Sequence, residues 1–181
     1  TINANDKVDL GNGLPKYTFG FNFTLGYKGF DLSANFTGAA GFQIAQSYRD
    51  PSGSQGNYSH RILGRWTGEG TSNEMPRVTY GDVGNWLFSD LYLQDGDYIR
   101  LQNLTLGYDF KKLISWKGLS KLRLYFQVQN LFTLTKYDGM DPEIGSYNGT
   151  DGNSSDSWVS GVDMGYYPHP RTFIVGVNVA F

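Results

Sequence analysis

The stretch Tyr17-Thr18-Phe19-Gly20-Phe21-Asn22-Phe23-Thr24-Leu25-Gly26-Tyr27 decides the fold. Its odd positions are all apolar or aromatic, and its even positions are Thr, Gly or Asn. Side chains on a strand point alternately to opposite faces, so one face is wholly apolar and the other polar or bare. The length matches the ~9–11 residues that a tilted strand needs to cross a hydrocarbon layer. Tyr17 and Tyr27 stand where aromatic girdles meet lipid headgroups.

Lys28-Gly29 follows as a two-residue turn, with Gly29 supplying a positive φ without steric penalty. The second strand, about 30–42, carries Phe30, Leu32, Ala34 and Phe36 outward and Asp31, Ser33, Asn35 and Thr37 inward. A third is expected over 98–110, with Leu104, Leu106, Tyr108 and Phe110 outward. Ile99 and Leu101 are out of phase with that set, which predicts a bulge or phase change near Gln102. A short connection leads to a fourth strand, 121–134, with Leu122, Leu124, Phe126 and Val128 outward. The fifth, 171–181, alternates Phe173, Val175, Val177, Val179 and Phe181 with smaller or polar residues. The remainder, about 1–16, 43–97 and 135–170, reads as irregular, polar and Gly-rich. Loops of this length argue against a compact soluble domain but belong to the outer side of a membrane barrel. Connections alternate short and long, so the last strand is expected to run toward the periplasm.

Composition agrees. Aromatics make up 16% of the 181 residues and Gly is counted 24 times, yet the mean hydropathy is −0.41. A closed sheet with one greasy and one polar face has that mixture. The net charge of −2 comes with no basic stripe, so nucleic-acid binding is not indicated. The absence of Cys excludes a disulfide scaffold and a thiolate metal site. Thr1 to Leu10 is polar and does not read as a signal peptide. No apolar run is long enough for a spanning helix. The fold class is therefore all-β, an antiparallel transmembrane barrel segment. Five strands fall short of the ~8 needed for closure, and open edges in lipid leave unpaired backbone groups. The chain is thus expected to be part of a larger barrel or a piece completing one.

Alternation does not say which barrel. The run Tyr98-Ile99-Arg100-Leu101-Gln102-Asn103-Leu104-Thr105-Leu106-Gly107-Tyr108 resembles a hallmark of SusC/RagA-type TonB-dependent outer-membrane transporters. Gln129-Asn130-Leu131-Phe132-Thr133-Leu134-Thr135-Lys136-Tyr137, followed by Asp141-Pro142-Glu143, is similar to another. Tyr167-Pro168-His169-Pro170-Arg171-Thr172-Phe173 resembles a third, and Arg65-Trp66-Thr67 and Met75-Pro76-Arg77 match the family upstream. The resemblance implies a plugged barrel of about 22 strands. It implies an outer-membrane location, a SusD-like surface lipoprotein as cap, and energy from a TonB complex reached through an N-terminal part outside this chain. It implies import of a glycan or peptide nutrient and no enzyme activity, in Bacteroidota.

Each candidate site residue has a plainer alternative. Phe173, Val175, Val177, Val179 and Phe181 read as a signal for the barrel-assembly machinery, or simply as a strand facing outer-membrane lipids. Trp66, Tyr80, Trp86, Trp158, Tyr166 and Tyr167 fall in the long loops and could bind substrate by stacking, or pack locally. The loop Asn148 to Asp156 is rich in oxygen ligands but lacks the closing Glu of a calcium loop, and Asp95-Gly96-Asp97 is shorter still, so no metal is expected. His60 and His169 lie beside no nucleophile pattern, and His169, between two prolines, is expected only to pack. Asp138, Asp141 and Glu143 could mimic a glycosidase carboxylate pair, but a catalytic role is not expected, nor is a cofactor. Transport is the leading class. A SusC-like component of a larger envelope or secretion assembly is the second. A soluble sugar-binding sandwich is the third and would need the outward faces buried under another sheet.

Overall fold

The computed structural model describes residues 6–47, 60–78, 88–114, 116–144 and 160–181. The long strands are β1 (Tyr17–Tyr27), β2 (Phe30–Ala40), β5 (Tyr98–Asp109), β6 (Lys121–Thr135) and β8 (Thr172–Ala180). They pair antiparallel in the order β1-β2-β5-β6-β8, leaving β1 and β8 as edges.

Register puts the expected outward residues on one face. Leu25 faces Leu32, Leu32 faces Leu106, Leu106 faces Phe126, and Phe126 faces Val175. That face stays open: Phe19, Phe21, Val175 and Val177 are 45, 59, 71 and 56% exposed. Among the described residues no second sheet lies over this face, which the soluble-sandwich alternative would need. The opposite face carries a row of amides and charges. Asn35 donates to Asn22, Gln127 Nε2 to Asn103 Oδ1 at 3.1 Å, and Arg123 Nε to Asp31 Oδ1 at 2.8 Å. The Arg123–Asp31 pair spans Gly107, where a Cβ would come within 2.5 Å of both side chains.

The phase change near Gln102 is present. β2 pairs Asn35 with Asn103 and Phe36 with Leu101, leaving Gln102 as the extra residue. β6 answers by pairing Phe132 with Leu101 and Gln129 with Asn103, which sets Asn130 and Leu131 aside. Ile99 and Leu101, out of phase in sequence, are thereby returned to the outward face opposite Leu134 and Phe132. Asn130 has φ +52, a conformation Asn tolerates better than most residues, and its Nδ2 donates to the Pro170 carbonyl at 3.0 Å. Asn130→Val is expected to destabilise the full-length protein by about 1–2 kcal/mol through the left-handed backbone alone. Asn130→Gly should lose only the amide contact. Denaturant titration of both variants checks this, and equal losses would refute the backbone account.

The turn at Lys28-Gly29 has positive φ at both residues, 47 and 96°, as a two-residue hairpin with matched twist requires. β2 stops at Ala40, two residues short of the expected end. Gly41, at φ +78, turns the chain there and donates its N–H to Asp97 Oδ1 at 2.6 Å. The stretch 43–97 is also less irregular than expected. It contributes β3 (Gln43–Gln46) and β4 (Leu93–Asp95), and the later loop contributes β7 (Val162–Asp163). These form a second sheet, β4-β3-β7, with β3 and β7 parallel. Ala39, Phe42, Ile44 and Tyr137 form a buried cluster here, with Tyr98 and Ile144 packed against it. The apolar core thus lies at the long-loop end of the wall and fixes the loops to it.

Candidate functional site

At that end the three hallmark motifs meet. β5 aims Arg100, flanked by the outward Ile99 and Leu101, onto the polar face, where it is 2% exposed. Its Nε donates to Thr133 Oγ1 of β6 at 2.9 Å, and its Nη1 to Glu143 Oε2 at 2.6 Å. Its Nη2 donates to Asp141 Oδ1. Asp141, itself 5% exposed, is the hub. Its Oδ1 also accepts the Glu143 backbone N–H at 2.9 Å, and its Oδ2 accepts the His169 backbone N–H at 3.1 Å. The His169 ring Nδ1 lies 3.1 Å from the same Oδ2. An ionised carboxylate only accepts, so Nδ1 carries the proton in this contact. Arg100 comes from the first motif, Asp141 and Glu143 from the second, His169 from the third.

One sequence expectation is corrected here. His169 does more than pack between prolines: it closes one side of a buried ion cluster. Asp141 and Glu143 are both engaged by Arg100. Asp138 is separate from them and accepts from the Gln46 side chain at 2.7 Å and from Gln94. That contact ties β3 and β4 to the exit of β6. Asp163, fully buried, receives the Tyr137 hydroxyl at Oδ2 and the Gly165 and Tyr166 backbone N–H groups at Oδ1, at 2.8 and 3.1 Å.

Burial alone would raise the pKa of Asp141. The N–H groups of Glu143 and His169, the His169 ring and the Arg100 guanidinium outweigh it and hold the carboxyl below the ordinary range. A folded-state value below the unfolded one gives stabilisation that is complete above about pH 4 and lost as pH falls through the folded-state value. Acid is therefore expected to loosen residues 141–169 before the strands. Pepsin cleavage between pH 5 and 2 should map to this segment, and Asp141→Asn should remove the pH step. A step unchanged in that variant would place the titration elsewhere.

Of the loop aromatics, Trp66 is half-buried and donates its backbone N–H to the Met75 carbonyl at 2.9 Å. Tyr166 is half-buried beside Asp163, and Tyr167 is 88% exposed, two residues from His169. Tyr80, Trp86 and Trp158 lie outside the described residues, as does the loop Asn148 to Asp156. Asp95 and Asp97 cap neighbouring backbone N–H groups. In β8, which spans Thr172–Ala180 rather than the expected 171–181, Phe173, Val175, Val177 and Val179 are exposed, as is Phe181 just after it. The sequence signal that could have located the cluster was an arginine in the run from Tyr98 to Tyr108, which holds no other charge, beside separate acidic and His-Pro motifs.

An antiparallel wall with an open apolar face, a polar inner face and loops clasped at one end is the wall of a membrane β-barrel. Sequence and fold narrow it further, to a barrel segment of the SusC/RagA-type TonB-dependent receptors. TonB-dependent receptor P3 of Formosa agariphila is 35% identical over 182 residues, covering 99% of this chain and 18% of that protein. TonB-dependent receptor SusC of Bacteroides thetaiotaomicron is 28% identical over 185 residues, covering 100% of the chain and 17% of the relative. A structure of the RagAB peptide transporter superposes with a TM-score of 0.74 at 23% identity, over 100% of this chain and 19% of the matched one. The chain thus spans less than a fifth of these relatives. No protein-family model matches it.

Proposed function

We propose that this chain forms the C-terminal barrel wall of an outer-membrane importer that takes up a glycan or peptide nutrient with TonB-derived energy. The observation that carries the reading is the similarity to a TonB-dependent receptor over 99% of this chain, joined to an outward face that is apolar and exposed. In this reading the clasped loops face the cell exterior and the short turns face the periplasm. A SusD-like surface lipoprotein caps the loop end, and the TonB complex acts through the N-terminal part of the full-length protein. Trp66, Tyr166 and Tyr167 contribute to the substrate vestibule. The strand ending at Phe181 is what the assembly machinery recognises. The protein itself performs no catalysis.

The test is uptake of labelled oligosaccharides and peptides by cells with and without the full-length gene, each with and without a protonophore. Gene-dependent, protonophore-sensitive accumulation of one class is expected. Unchanged uptake together with loss of an envelope complex would favour the assembly role instead.

A further inference from the structure

We propose that the short-turn end of the wall is a seat for anionic phospholipid headgroups; this rests on the barrel reading above. The near-neutral charge of the chain conceals a separation. Residues 28–31 and 109–123 hold six basic side chains (Lys28, Lys111, Lys112, Lys117, Lys121, Arg123) and two acidic ones (Asp31, Asp109). The other 9 of the 15 basic and 15 of the 17 acidic residues lie elsewhere, so a rim of +4 is set against −6.

The fold brings these segments to one edge. Asp109 donates its N–H to the Gly29 carbonyl at 2.8 Å, so the β1–β2 turn abuts the connection after β5. Lys121 pairs with Ala180, which places Phe181 at the same level. Both carboxylates are occupied within the chain. Asp31 is paired with Arg123, and Asp109 Oδ1 accepts the Lys111 backbone N–H at 3.0 Å. Lys28, Lys117 and Lys121 are exposed.

Aromatic residues lie among these basic groups: Lys28 Nζ is 5.2 Å from the Tyr27 ring centroid, and Lys111 Nζ donates to the Trp116 carbonyl at 2.8 Å. Phe30 and Tyr108 have centroids 4.4 Å apart, Tyr108 and Phe110 4.8 Å, and Trp116 and Phe181 6.3 Å. Tyr27, Trp116 and Phe181 are 70, 60 and 84% exposed. Exposed rings and ammonium groups gathered at one edge are the combination that a bilayer interface favours. A protein partner would need acidic groups but would not require the rings to stay bare. A zwitterionic headgroup would leave the excess positive charge unanswered, so the fitting occupant is a lipid with net negative charge on its phosphate.

The experiment places the full-length protein in nanodiscs of equal phosphatidylglycerol and phosphatidylcholine and measures retained lipids by native mass spectrometry. Wild type should retain phosphatidylglycerol selectively, and less so as salt rises. The triple variant Lys28→Gln, Lys117→Gln, Lys121→Gln should lose that selectivity by about tenfold. A charge-matched variant at the loop end, Lys7→Gln, Lys16→Gln, Lys136→Gln, should keep it. Equal selectivity in wild type and the first variant overturns the proposal, as does equal loss in both variants. Lys117→Gln alone repeats the comparison if the triple variant does not fold. Failure of wild type to enter nanodiscs overturns the barrel reading as well, whereas entry without selectivity overturns the lipid seat alone.

Discussion

Arg100→Met is expected to destabilise the full-length protein by about 3–5 kcal/mol, because it strands a buried carboxylate without its cation. Asp141 is only 5% exposed and cannot recover its lost partner from water without opening the site. Glu143 behaves differently. Its side chain is 45% exposed, so Glu143→Gln should cost no more than about 1 kcal/mol. The double variant Arg100→Met, Asp141→Leu removes both buried charges and should recover much of the loss. Denaturant titration in micelles orders these variants, with proteolysis of the 141–169 segment as a second readout. If Arg100→Met and Glu143→Gln prove equally mild, the cluster does not hold the loop.

Phe21→Arg should be nearly as damaging, for a different reason. Phe21 lies near the middle of β1 on the open apolar face, 59% exposed. An arginine at mid-depth in hydrocarbon costs about 2–4 kcal/mol in barrels of this kind. Thr24→Arg, three residues on and on the opposite face, should fall within about 0.5 kcal/mol of wild type. Folding of the full-length protein into lipid vesicles, followed by heat-modifiable gel migration, separates the two. Equal penalties at positions 21 and 24 would refute the assignment of faces.

The wall was readable because its physics is local. A period of two, held over eleven residues in β1, leaves no helical alternative. Even the irregularity at Gln102 showed itself, since Ile99 and Leu101 broke phase with Leu104 and Leu106. The compensating residues Asn130 and Leu131 did not, because two extra residues leave parity intact. The clasp was illegible for the opposite reason. Arg100 and Asp141 lie 41 positions apart, and Asp141 and His169 28 apart, with no periodicity linking them. Each motif is legible by itself, but nothing in the sequence brings them to one point. The β4-β3-β7 sheet was missed too. Strands of two to four residues are too short to show a period, and the parallel pairing of Ala45 with Val162 is purely tertiary.

The hub carboxylate has one more implication. Asp141 stands near the start of the 135–170 excursion and His169 near its end, and both are fastened at one spot. The two ends of that excursion are thereby held together, whatever the length between them. Lengthening a segment closed in this way costs little, about 0.6 kcal/mol per doubling. The wall can therefore accept inserts of different size and composition between these two residues while the strands beneath keep their register.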